Sequence, residues 1–161
     1  MRIWLSLGSN LGDREATIRE AFRQLGGVCE GLVLSSLYET EPMYVAAQPR
    51  FLNAVAAGTT RLAPRELLAA VHAVERSLGR DRSAEQRYGP RTIDVDILLY
   101  EGILSDDPDL TLPHPRLAER AFVLVPLLEL SPDLADPRTG EPYAVALARV
   151  GRAGVYSAPA G

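Results

Sequence analysis

Between Thr92 and Leu98 the chain reads Thr-Ile-Asp-Val-Asp-Ile-Leu, a strict alternation that suits a strand with two different faces. Side chains repeat every second residue along a strand, so Asp94 and Asp96 share one face. Ile93, Val95 and Ile97 take the other face and require a core packed against them. Leu98 follows on the acidic side. A stripe that turns apolar within one strand describes the floor of a cleft better than open surface.

Other segments declare themselves by period and punctuation. Arg2 to Leu7 reads as a strand, and 8–12 as a turn. A helix follows, with Asp13 as N-cap and Ile18, Ala21, Phe22 and Leu25 at helical spacing, stopped by Gly26-Gly27. Leu32 to Glu39 and Phe51 to Thr60 read as strands, joined by an irregular loop over 40–50. Pro64 opens a helix whose buried stripe is Leu67, Val71, Val74 and Leu78, ended by Gly79. A charged loop over 80–91 leads into the strand at Thr92–Tyr100. Short extended residues near 110–112 and helical segments near 122–129 and 143–149 complete the chain. The order strand, helix, strand, strand, helix, strand predicts an α+β protein: a ferredoxin-like antiparallel sheet with packed helices, as a three-layer αβα stack. That fold hosts many functions and decides none.

A chain of 161 residues accommodates one domain with one core. Its single cysteine, Cys29, excludes an internal disulfide and reads as a small part-buried residue. No apolar run approaches the ~20 residues of a membrane helix, and the start lacks a targeting pattern. The expectation is therefore a cytoplasmic protein that does not engage membrane. A net charge of −4 argues against general nucleic-acid binding. All 17 basic residues are arginine, so arginine abundance carries little weight and only clustering counts.

Clustering does occur beside the acidic strand. Arg80, Arg82, Arg87 and Arg91 precede it, offset only by Asp81 and Glu85. Two neighbouring carboxylates repel unless a cation lies between them, and magnesium suits hard oxygen donors completed by phosphate and water. Guanidinium forks match phosphate oxygens that a metal does not reach. Together these features describe a metal–triphosphate site. No glycine-rich Walker loop is present, so arginines and metal must do that work. A solvated polar stripe beside a charged loop would give the same residues, and a different Asp-x-Asp transferase or a non-enzymatic binding domain would fit the same fold.

The segment Arg87-Tyr88-Gly89-Pro90-Arg91-Thr92-Ile93-Asp94-Val95-Asp96-Ile97-Leu98 resembles the signature of 6-hydroxymethyl-7,8-dihydropterin pyrophosphokinases. Three further matches fall in order: Leu7 to Gly12, Tyr38 to Pro42 with Phe51 to Ala54, and Leu112 to Pro115 with Arg120 to Phe122. The resemblance implies a single pyrophosphokinase domain over 1–150, with 151–161 as a loose tail. It implies transfer of pyrophosphate from ATP to the pterin hydroxymethyl group, with release of AMP, in folate biosynthesis. Asp94 and Asp96 are then metal ligands for two Mg2+ ions, with Arg82 and Arg91 beside them in catalysis. Glu75, Arg82, Arg87, Arg91, Ile97, Thr111, His114 and Arg120 line the ATP site. Thr40, Met43, Phe51, Asn53, Tyr88 and Phe122 form the pterin pocket, with Phe51 and Phe122 on the two ring faces and Asn53 at the polar edge. The expected partners are these two small molecules alone, bound by a monomer. The chain departs from the family pattern at Phe51 and Tyr88, which remain aromatic, and at Glu41, His72 and Pro115. Glu41 replaces a proline of the pocket loop.

Overall fold

The computed structural model describes residues 1–41, 50–79 and 92–158. Strand β1 (Arg2–Ser9) is paired on both sides within the sheet, burying Ile3, Leu5 and Leu7 on one face and Trp4 on the other. Helix α1 (Arg14–Leu25) begins at Asp13, whose carboxylate accepts the Ala16 N–H at 3.1 Å. That bond satisfies a donor with no partner inside the helix. Helix α2 (Pro64–Ser77) has proline in its first turn, and the Glu66 carboxylate reaches back to the Ala63 N–H at 2.9 Å. Leu67 and Val71 are fully buried as their spacing predicts.

The single strand expected over 32–39 is two strands, β2 (Glu30–Leu34) and β3 (Tyr38–Thr40), both paired with β4 (Phe51–Thr59). The break is a tertiary event. Ser35 still exchanges hydrogen bonds with the Val55 backbone, at 2.8 and 2.9 Å. Ser36 instead turns its N–H and hydroxyl to the Glu129 carboxylate, at 2.8 and 3.1 Å. Nothing local to residues 32–39 announces that distant acceptor.

Strand β5 (Asp94–Tyr100) closes the sheet, whose order is β5-β1-β4-β3 with β2 also against β4, and every pairing is antiparallel. Two split strand–helix–strand units interleave here, as the ferredoxin-like expectation requires. A bulge between β1 and β5 sets Trp4 opposite Leu99 and Leu5 opposite Ile97. Leu98 is the extra residue. The alternation that begins at Ile93 therefore changes phase, and Leu98 and Leu99 both join the core on the Trp4 face.

Helices cover both faces. On one, α1, α2 and the hairpin β6 (Ser105–Asp107)–β7 (Leu110–Leu112) pack over Leu5, Leu7, Val95 and Ile97. On the other lie α3 (Ala121–Leu130) and α4 (Tyr143–Val150). α3 is apolar on nearly every side and buries Val123, Leu124, Val125 and Leu127, as a helix pressed between layers must. The result is the expected αβα stack. The tail differs from expectation: Val155–Ser157 forms strand β8, antiparallel to β3. It covers backbone groups that an open edge at β3 would leave unpaired. Among the described residues, no helix is long and apolar enough to cross a membrane.

Candidate active site

Asp94 lies opposite Gly8 and Asp96 opposite Ser6 in β1, which places both acids on the α3 side of the sheet. Val95 and Ile97 point into the other core, as the alternation demands. Neither carboxylate is buried in that core, and the Asp96 side chain is 36% exposed. The peptide between them is held from behind. Glu75 on α2 is 1% exposed, and its carboxylate accepts the Val95 N–H at 3.0 Å. A helix-face residue expected at the nucleotide is thus a buried anchor for the acidic strand.

His114 follows β7 and donates its own N–H to the Leu98 carbonyl at 2.8 Å. Its Nδ1 accepts the Arg116 N–H at 3.3 Å, so the neutral ring carries its proton on Nε2. Nε2 stands 4.0 Å from the Asp96 carboxylate. Burial, reinforced by the nearby Arg120 charge and opposed by Asp94, brings the His114 pKa down to about 4. The imidazole is therefore a neutral N–H donor at pH 7. Arg120 Nε is buried with no hydrogen-bond partner among the described residues, and the guanidinium lies 5.5 Å from the Phe122 ring centroid. Leaving a buried donor unpaired costs about 1–3 kcal/mol, more for a charged group.

Across β1 the character changes. Asn53, on β4, is buried and donates from Nδ2 to the Thr40 hydroxyl at 2.6 Å. Gly8 faces Asn53 in register, and a Cβ on Gly8 would lie 2.7 Å from Asn53 Oδ1. The amide is thus clasped between a bare backbone and a threonine. Phe51 pairs with Thr40 at the end of the same strands. Next to Thr40 opens a cavity of about 270 Å³, lined also by Glu119, Ala121, Phe122 and residues of the C-terminal segment, but not by Phe51 or Asn53. Two interstrand steps separate β4 from β5, roughly 10 Å.

One sheet face therefore gathers Asp94, Asp96 and His114 at one edge and Thr40, Phe51 and Asn53 toward the other, with Arg120 and Phe122 together between them. Glu75 and Ile97 do not join them; both belong to the α2 side of β5. Thr111, in the β6–β7 hairpin, gives its hydroxyl to the Asp107 carbonyl at 3.0 Å. Met43, Arg82, Arg87, Tyr88 and Arg91 lie outside the described residues. Gly8, Arg116 and Val155 were not singled out by sequence. Arg116, two residues beyond His114, carries a local signal; Gly8 acquires its importance only through register.

Residues 4–132 match the family model described as 7,8-dihydro-6-hydroxymethylpterin-pyrophosphokinase. The chain belongs to this family. It is 43% identical over 156 residues to the 2-amino-4-hydroxy-6-hydroxymethyldihydropteridine pyrophosphokinase of Methylorubrum extorquens, covering 96% of both chains. The corresponding Pseudomonas aeruginosa protein is 45% identical, over 84% of each chain. The folic acid synthesis protein of Schizosaccharomyces pombe is 46% identical over 94% of this chain, which spans only 21% of that longer protein. The fold is shared with crystal structures of Plasmodium falciparum HPPK-DHPS, at a TM-score of 0.70 and 13% identity over 92% of this chain and 45% of that one. In this pyrophosphokinase-family chain, α4 and β8 fall beyond the matched span.

Proposed function

We propose that the chain transfers the pyrophosphoryl group of ATP to the hydroxymethyl oxygen of 6-hydroxymethyl-7,8-dihydropterin, releasing AMP, as a step of folate biosynthesis. The observation that carries this reading is the pairing of an acidic edge with a buried amide pocket on one face of the sheet. Two carboxylates sharing a face offer hard oxygen donors. Magnesium is commonly held by one or two carboxylates, its other positions taken by substrate phosphates and water. Asp94 and Asp96 would hold the two Mg2+ ions, which would neutralise the triphosphate and lower the pKa of the alcohol.

The remaining work falls to the protein. Asn53 both donates to and accepts from the polar pterin edge through one amide. Phe51 and Phe122 flank the ring, and the hydroxymethyl arm points across β1 toward β5. His114 Nε2–H and the Arg120 guanidinium bind oxygens of the transferred group, joined by Arg82, Arg87 and Arg91. Because β5 is the sheet edge, a nucleotide can pass around it toward Glu75, Ile97 and Thr111. The hydroxyl oxygen attacks the β-phosphorus in line, the bond to the α-phosphate oxygen breaks, and Asp96 takes the hydroxyl proton.

Incubation with Mg-ATP and the pterin alcohol should yield AMP and the pterin pyrophosphate, and neither without the pterin. Release of ADP, or of inorganic pyrophosphate with a nucleotidyl product, would refute the reading. Asp94→Ala and Asp96→Ala should each lower turnover by at least about 10²-fold with circular dichroism unchanged. Near-normal AMP production by either variant would remove the acid pair from the chemistry.

A further inference from the structure

The segment beyond α4 is built into the neighbourhood of the pterin residues. Val155 pairs with Thr40, packs against the α3-side core and lines the cavity that Thr40 and Phe122 share. Its place is held first by backbone: the Glu41 N–H donates to the Gly154 carbonyl at 3.0 Å. Side chains add a clasp. The Arg50 guanidinium lies 4.9 Å from the Tyr156 ring centroid and 3.7 Å from the Glu41 carboxylate. The Tyr156 hydroxyl donates to the same carboxylate at 3.5 Å. Glu39 anchors the base, 3.8 Å from Arg50 and 2.6 Å from Arg14. Arg50 and Glu41 are about half exposed, so each contact is weak alone and the set acts with the backbone bond.

We propose that β8 forms the outer wall of the pterin pocket, with Val155 setting its width and the Glu41–Arg50–Tyr156 clasp holding it in register. This rests on the pterin reading of the site. It also gives Glu41 a purpose at a position where the family pattern has proline: the loop end that proline would stiffen is tied instead by hydrogen bonds to Gly154 and Tyr156 of the C-terminal segment. Val155 bears on the substrate directly, and Tyr156 is a positioning residue acting through Val155 and Thr40.

The test compares steady-state constants for both substrates in the 161-residue chain. Val155→Trp fills the cavity and should raise the pterin KM roughly tenfold or more. The KM for ATP should stay within about twofold, because Asp94 and Asp96 lie across β1 from Thr40 and Val155. Tyr156→Ala removes the ring under Arg50 and should raise the pterin KM about three- to fivefold. Tyr156→Phe keeps the ring and should restore most of that loss, which a purely structural effect of losing the hydroxyl would not do. An active wild-type chain whose pterin KM is unmoved by Val155→Trp, or moves together with the ATP KM, overturns the wall alone. Should Val155→Trp fail to fold, an unchanged pterin KM in Tyr156→Ala, at a position 45% exposed, overturns it instead. A wild-type chain that makes no AMP from these substrates overturns the functional reading and the wall with it.

Discussion

Adding one methyl group at Gly8 should weaken pterin binding and spare ATP. The new Cβ would stand 2.7 Å from Asn53 Oδ1, where ordinary contact begins near 3.4 Å, so the amide must retreat by about 0.7 Å. It has little room, being 9% exposed and bonded to Thr40 at 2.6 Å. Breaking that bond costs about 0.5–1.5 kcal/mol, and leaving the buried amide unpaired costs about 1–3. Unfolding free energy should therefore fall by roughly 1–3 kcal/mol in denaturant titrations. The same displacement spoils the amide's bonds to the ring edge, another ~1–3 kcal/mol, or about 5- to 150-fold in the pterin KM. Steady-state AMP release with each substrate varied in turn measures both constants. An Asn53→Ala background provides the control: the methyl then has space, and Gly8→Ala should add little to the effect of Asn53→Ala. Full additivity of the two substitutions, or equal rises in both KM values, would refute the clasp.

Two further outcomes follow from groups around β5. Glu75→Ala should strand the buried Val95 N–H, lowering unfolding free energy by about 1–3 kcal/mol and raising the Mg2+ concentration needed for half-maximal turnover. Unchanged stability would show that this carboxylate does not anchor the strand. His114 should titrate near pH 4 in NMR of the metal-free chain, and a midpoint near 6.5 would contradict its burial. Its folded pKa lies below the unfolded value of about 6.5, so the unfolded chain holds the extra proton between the two. The associated stability is complete above pH ~6.5 and is lost, at about 1.4 kcal/mol per unit, as the pH falls toward 4.

Much of this molecule follows from short-range pattern. Period two put Asp94 and Asp96 on one face with Val95 and Ile97 on the other, and period 3.6 with Asp13 and Pro64 placed α1 and α2. Those features depend on neighbours within one turn or one pleat, so the residues themselves announce them. The element order then limited the sheet to a ferredoxin-like weave. Other features depend on segments far apart in the chain. Ser36 bonds to Glu129 and divides a strand that looks continuous. The bulge at Leu98 shifts the alternation because β1 and β5 fall out of step there. Glu75 sits at a helical position that propensity treats as solvent, yet the strand amide behind it makes it a buried acceptor. Gly8 reads as a turn residue until register sets it against Asn53, and Val155 reads as tail until β3 offers an open edge. Pattern determined which surfaces must be buried and where the acids point; only the packed sheet decided which backbone meets which side chain, because register is a contact between residues that the chain does not place side by side.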